Sequence, residues 1–265
     1  MKFNPGKLLV FLDREFTLSR RQLILAALII FLAGFGLRYS YLLLRERPPR
    51  DEQFYIQTVE KMTENDDSRN RDYEFGPLMP AIAVSLVKLG FEPATALRTL
   101  NMVYSMLWIL VMFFLCRDVF GNNKAGLLGM AIASFNPYTI RMSSQILREP
   151  LYLLIFTLSL WCALRFIKSK KYNIYPAILG LLTVLGFLTR YEGIEISLFM
   201  LLAVIIIFMQ YKWQRIRMCI YGLAAYLFTV GVIIGALINF DNAYICNTNQ
   251  KAIEYYKLFT GNRLK

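Results

Sequence analysis

Two adjacent carboxylates, Asp51 and Glu52, follow a long apolar run, and arginines recur in short polar stretches further along: Arg98, then Arg148 beside Glu149, then Arg190 ahead of Tyr191 and Glu192. A carboxylate takes the proton of an attacking hydroxyl, and a guanidinium fork holds two phosphate oxygens at once. The chain has no histidine. That removes Ser-His-Asp hydrolysis, His-based zinc proteolysis, haem ligation and His-dependent acyl transfer. Four cysteines without a CxxC pair form no framework for disulfides or metal. The remaining chemistry runs on carboxylates and cations. Each group also has a plain structural role: Asp51 and Glu52 as cap and dipole charges of a short helix, the arginines as anchors at helix mouths. A second acidic pair, Asp66-Asp67, shows that pairing alone carries little information.

The elements that must position these groups cross a membrane. The 265 residues are 57% hydrophobic and 15% aromatic, too apolar for a soluble single-core enzyme. Apolar runs at 22–44, 99–116, 125–140, 151–167, 174–189, 194–209 and 218–240 give about seven spans. The fold expected is an all-α polytopic membrane protein. The net charge of +12 comes from basic residues at the ends of those runs, which indicates topology and not nucleic acid. Five cations precede the first run with no small-residue cleavage site after it, so residues 1–21 are expected in the cytoplasm behind an uncleaved signal-anchor. The apolar segment 76–91, with Pro77, Pro80 and Lys88, either spans or lies at the interface. If it does not cross, nine cations (Arg117, Lys124, Arg165, Lys168, Lys170, Lys171, Lys212, Arg215, Arg217) fall on inner loops and three (Arg141, Arg148, Arg190) on outer ones. The non-crossing arrangement is therefore preferred. The spans then form a module over residues 22–240, with an outer loop at 45–98 and a short outer tail at 241–265. Within the outer loop, 53–62 has helical apolar spacing (Phe54, Ile56, Val59, Met62) suited to a short interfacial helix.

The order of short strings along this frame resembles a family. Asp51-Glu52 follows the first helix, Gly76-Pro77-Leu78 opens the short apolar segment and Leu89-Gly90-Phe91 closes it. Ala96-Leu97-Arg98 with Asn101, Arg117-Asp118-Val119-Phe120-Gly121, Asn136-Pro137-Tyr138, Ser143-Ser144 with Glu149, and Leu188-Thr189-Arg190-Tyr191-Glu192-Gly193 come in turn. Over roughly residues 20–240 this series resembles the N-terminal module of the GT-C membrane glycosyltransferases that use polyprenyl- or dolichyl-phosphate sugars, among them protein O-mannosyltransferases and aminoarabinose transferases.

That resemblance implies an inverting transfer at the outer, periplasmic or lumenal face, from a polyprenyl-phosphate-linked donor lying among membrane lipids. It makes Asp51 the base, with Glu52 beside it. Glu149 is a second acidic position that orients the acceptor or, in metal-using relatives, helps hold a divalent ion. Arg190, Arg98, Arg148 and Arg71 are the donor-phosphate candidates, and Tyr191 and Glu192 the acceptor-side ones. No cofactor is required outright, no metal ligand set is assigned, and a bacterial inner membrane is favoured over an endoplasmic reticulum. Family members generally carry more helices and often an outer soluble domain, which leaves other classes open. One is a non-catalytic membrane subunit keeping the fold beside a partner chain, for which the Gly231–Gly235 GxxxG pattern is a contact, although internal bundle packing is the preferred role of that pattern. The other is a small lipid or solute transporter, for which the spans hold few ionisable groups and no repeat.

Overall fold

Backbone in lipid has no water to bond, so apolar runs of this length satisfy themselves as helices. In the computed structural model, which describes residues 19–44, 50–63, 76–169, 173–211 and 216–240, every regular element is helical. The helices are α1 (Arg20–Leu44), α2 (Arg50–Thr63), α3 (Leu78–Val87), α4 (Pro93–Phe120), α5 (Asn123–Phe135), α6 (Pro137–Ser143), α7 (Glu149–Lys168), α8 (Tyr175–Thr189), a 3-10 helix (Tyr191–Ile196), α9 (Ser197–Tyr211) and α10 (Ile216–Phe240). Residues 1–18, the tail 241–265 and Arg71 lie outside the described residues, so the expectations attached to them concern a part of the chain that is not described.

Five stretches are long and apolar enough to cross a membrane: α1, α4, α7, Tyr191–Met209 and Ile216–Gly235. The chain is an all-α polytopic membrane protein. Two shorter helices, α5 of 13 residues and α8 of 15, run between the same two ends of the bundle. A single buried apolar cluster joins the helices, from Tyr55 and Val59 on α2 to Met218 and Tyr226 on α10.

Helix α3 is too short to cross the hydrocarbon core. Its ten residues rise only about 15 Å against a hydrocarbon core of about 30 Å. Just before it, Gly76 lies against the Leu188 and Thr189 carbonyls at the end of α8, and the turn after it leads to Pro93 at the start of α4. Both ends of α3 therefore sit at one end of the bundle. A Cβ at position 76 would stand 2.3 Å from both carbonyl oxygens, so only glycine permits this approach.

The expected span 125–140 is two helices. Asn136 separates them: its Oδ1 accepts from the N–H groups of Tyr138 and Thr139, and Pro137 starts α6 where no N–H is needed. The carbonyls that α5 leaves behind are taken by Arg38 of α1. Arg38 is fully buried, and its five N–H groups have five acceptors. Nε donates to Ser105 Oγ (2.8 Å), Nη1 to the Gly34 and Ser134 carbonyls (3.1 and 2.9 Å), and Nη2 to the Ala133 carbonyl and Thr139 Oγ1 (3.1 and 3.3 Å). Helix α1 is thus inverted in polarity: its only buried residues are Gly34 and Arg38, while Leu28, Ile29 and Leu32 face outward.

The Gly231–Gly235 pair does not pack inside the bundle. Both glycines are exposed, and no described atom lies within 4 Å of a Cβ built at either. The inward residues of α10 are Met218, Cys219, Gly222 and Tyr226, with Gly222 against the Phe166 ring and Tyr226 donating to Thr183 Oγ1.

Replacing Arg38 by Leu removes the donors from the end of α5 and from Thr139. Unsatisfied buried acceptors cost about 1–3 kcal/mol each, so the Arg38→Leu protein is expected to unfold with a loss of at least 3 kcal/mol. Denaturant titration in micelles measures it, and an unchanged midpoint would contradict the structural role assigned to Arg38.

Candidate active site

The polar groups gather at the end of the bundle where α2, α4, α7 and the 3-10 helix begin. Helix α2 turns three side chains inward at helical spacing: Glu52, Tyr55 and Val59. Phe54 and Ile56, part of the spacing expected of an interfacial helix, are half-buried. Asp51 and Glu52 therefore separate completely. Asp51 is exposed in the first turn, whereas Glu52 is fully enclosed.

Glu52 ties three segments together. Its Oε1 accepts the Ile146 N–H at 3.0 Å, and its Oε2 lies 3.6 Å from Arg98 Nη2 in the first turns of α4. Ile146 sits in the irregular stretch between α6 and α7, where its buried N–H has no ladder to join. Asn101, one turn beyond Arg98 and also fully buried, donates from Nδ2 to the Gln145 carbonyl of the same stretch. Two buried polar side chains thus supply the hydrogen bonds of the loop that delivers Arg148 and Glu149. Glu52 and Asn101 therefore both hold the stretch that leads to Arg148 and Glu149.

Arg190 is the meeting point of the second half of the site. It ends α8 in an extended conformation, and its guanidinium takes both Glu192 oxygens (Nη2 to Oε1 3.1 Å, Nε to Oε2 3.4 Å) and Glu149 Oε1 (Nη1, 3.4 Å). Its plane lies over the Tyr152 ring, 5.6 Å from the centroid. The hydrogen bonds that Arg190 donates to Glu192 outweigh the burial cost and hold Arg190 more firmly protonated than usual. Glu149 Oε2 is buried and has no hydrogen-bond partner among the described residues. The 3-10 helix reaches this spot because Gly193 stacks on the backbone of Gly186, where a Cβ would meet atoms at 2.1–2.3 Å. Tyr191 is half-buried beside them.

The two halves meet at Tyr55. Burial first, and then the fields of Glu149 and Asp51 against those of Arg148 and Arg190, push its phenol above the ordinary value. Asp51, Arg148, Glu149 and Arg190 thus all lie within electrostatic reach of one buried hydroxyl. The aromatic itself escapes a reading of apolar spacing alone; its place three residues after Glu52 and four before Val59 is the signal that marks it.

Among the described residues no three His, Cys, Asp or Glu side chains converge, and the two carboxylates that do, Glu149 and Glu192, already share the positive charge of Arg190. Described site charges amount to four carboxylates (Asp51, Glu52, Glu149, Glu192) and three guanidiniums (Arg98, Arg148, Arg190).

Glu52→Gln retains an acceptor for Ile146, whereas Glu52→Ala leaves a buried N–H open and is expected to cost about 2 kcal/mol more; paired thermal melts distinguish them. For Tyr55 the sign follows from a raised folded-state value. The neutral phenol stabilises the fold below about pH 10, and that contribution is lost as pH rises above it. Melting temperature between about pH 10 and 11 should fall more steeply for wild type than for Tyr55→Phe.

A family model described as dolichyl-phosphate-mannose-protein mannosyltransferase matches residues 75–237, from the start of α3 into α10. No curated protein matches the chain closely enough to be counted as a relative.

Proposed function

Since the chain belongs to the dolichyl-phosphate-mannose-protein mannosyltransferase family, a family of membrane glycosyltransferases, we propose that it transfers a sugar from a polyprenyl-phosphate donor to an acceptor hydroxyl at the end of the bundle carrying Asp51, Glu149 and Arg190. The observation that carries this reading is the convergence of Asp51, Arg148, Glu149 and Arg190 around Tyr55, from three segments that are separate in sequence. The charge distribution of the loops supports an outward orientation for that face.

In this reading the acceptor oxygen attacks the anomeric carbon as the bond from that carbon to the phosphate oxygen breaks. The exposed Asp51 carboxylate takes the acceptor proton, and the polyprenyl phosphate leaves with the bonding electrons, its charge held by Arg190 and Arg148. Inversion follows from a single displacement. Glu149 Oε2, buried and aimed at no described donor, is the acceptor-orienting group. The donor's prenyl tail accounts for an active site at the end of lipid-facing helices.

Arg190 already holds two carboxylates, so donor phosphate binds by exchange with one of them. Glu192, exposed and bonded through two geometries, is the one displaced. Arg190→Ala is expected to reduce retention of polyprenyl-phosphate sugars in native mass spectrometry by at least tenfold, the loss of one charge-assisted pair, while Glu192→Gln raises it. Asp51→Asn should keep donor retention and lose transfer. Equal turnover by Asp51→Asn would remove the base from this assignment, and equal retention by Arg190→Ala would return Arg190 to a structural anchor.

A further inference from the structure

A second polar cluster lies at the opposite end of α4, and sugar transfer has no use for it. Arg98 and Asp118 are twenty residues apart on that one helix, about 30 Å, which matches the thickness of a bilayer's hydrocarbon core. Around Asp118 lies a cavity of about 310 Å³, lined by Arg117, Asp118, Asn122, Asn123, Arg165 and Lys168. That volume falls within the roughly 300–1,000 Å³ of ligand clefts.

The cluster is built, not merely basic. The Asp118 carboxylate accepts from Arg117 Nε at 2.9 Å and from Trp161 Nε1 at 2.8 Å, and pairs with Arg165 Nε at 3.1 Å. Lys168 donates to the Asp118 carbonyl. One carboxylate thus orders three cations and leaves the wall with a surplus of two positive charges. Both guanidinium planes rest on aromatic faces, Arg117 on Phe114 at 5.1 Å and Arg165 on Trp161 at 5.5 Å, so their positions are fixed before any ligand arrives. Gly121, at φ +75°, turns the chain directly from α4 toward α5, and Asn122 caps α5 through Ala125 N–H. That tight turn brings the positive end of α5 to the rim of the cavity. Beside the opening, Val119 and Phe120 are 49% and 60% exposed and extend the apolar surface of the bundle.

From this geometry we infer that the cavity binds the phosphate of an anionic lipid headgroup in the leaflet opposite the sugar-transfer site. Fixed guanidinium forks suit a phosphodiester, and the neighbouring apolar edge suits its acyl chains. The site differs from the donor end in its balance of charge: there carboxylates match or exceed cations, whereas here cations are in excess. A lipid held at this level anchors the α4–α5 turn and the end of α7 against one membrane surface while the donor is handled at the other.

Native mass spectrometry of the full chain tests the inference, with phosphatidylglycerol and phosphatidylcholine supplied in mixed micelles. Wild type should retain phosphatidylglycerol selectively, and Arg165→Gln/Lys168→Gln should lower that retention about 30-fold, the combined effect of two lost surface cations. Donor-lipid retention should be unchanged in the same variant, because its side chains lie at the other end of the bundle. Lys168→Gln alone, at an exposed side chain, serves if the double variant does not fold, with an expected loss of about fivefold. Equal phosphatidylglycerol retention by wild type and a folded variant would overturn the site. Displacement of phosphatidylglycerol by millimolar inorganic phosphate, with the same dependence on Lys168, would assign the cavity to a soluble phosphate and overturn the lipid.

Discussion

A buried cation with no carboxylate beside it among the described residues sets the shape of this bundle. Arg38 sits on the inward face of α1, where lipid offers no water, and its position is tenable only because five acceptors surround it. Two of those are the final carbonyls of α5, which any helix end leaves open. The guanidinium therefore lets α5 stop after 13 residues and lets Asn136-Pro137 begin a new helix in a different direction. That change of direction brings residues 144–149 to the end of α4. Glu52 and Asn101 can then reach the Ile146 N–H and the Gln145 carbonyl, and Glu149 can meet Arg190.

The two ends of the bundle use the same side-chain types to opposite effect. At the end that carries Arg190, each described cation has carboxylates within reach, so an anion arriving there would compete with Glu149 and Glu192 for Arg190. At the other end, Asp118 is saturated by donors and its three cations remain in excess. A competitive site suits a substrate that arrives and leaves. A site with surplus fixed charge suits a resident group, since no ion pair must break for it to bind.

Much of the architecture was legible in the chain because a bilayer imposes a length and a polarity on every crossing segment. The long apolar helices, the short segment 76–91 and the helix after the first span all follow from apolar length and proline placement. Gly76 and Gly193 were visible as parts of ordered strings, but their reason is a backbone contact with α8 that no local pattern encodes. Arg38 was visible only as a charge near the end of a span. Nothing local distinguishes an arginine that reaches for headgroups from one that is enclosed by three other helices.

Asp51 and Glu52 mark the limit most clearly. Adjacent carboxylates look equivalent in a chain, yet successive residues of a helix point about 100° apart, so one face of α2 had to be chosen. Packing against α3 and α4 chose it, enclosing Glu52 and leaving Asp51 in the open. The sequence by itself determined that this is an all-helical membrane protein whose carboxylates and arginines lie at the ends of its apolar helices, because hydrophobic length and charge placement act residue by residue. Only the tertiary structure decided which carboxylate is structural, which arginine is shared between two acids, and that Tyr55 stands among them, because those outcomes depend on which faces of separate helices meet.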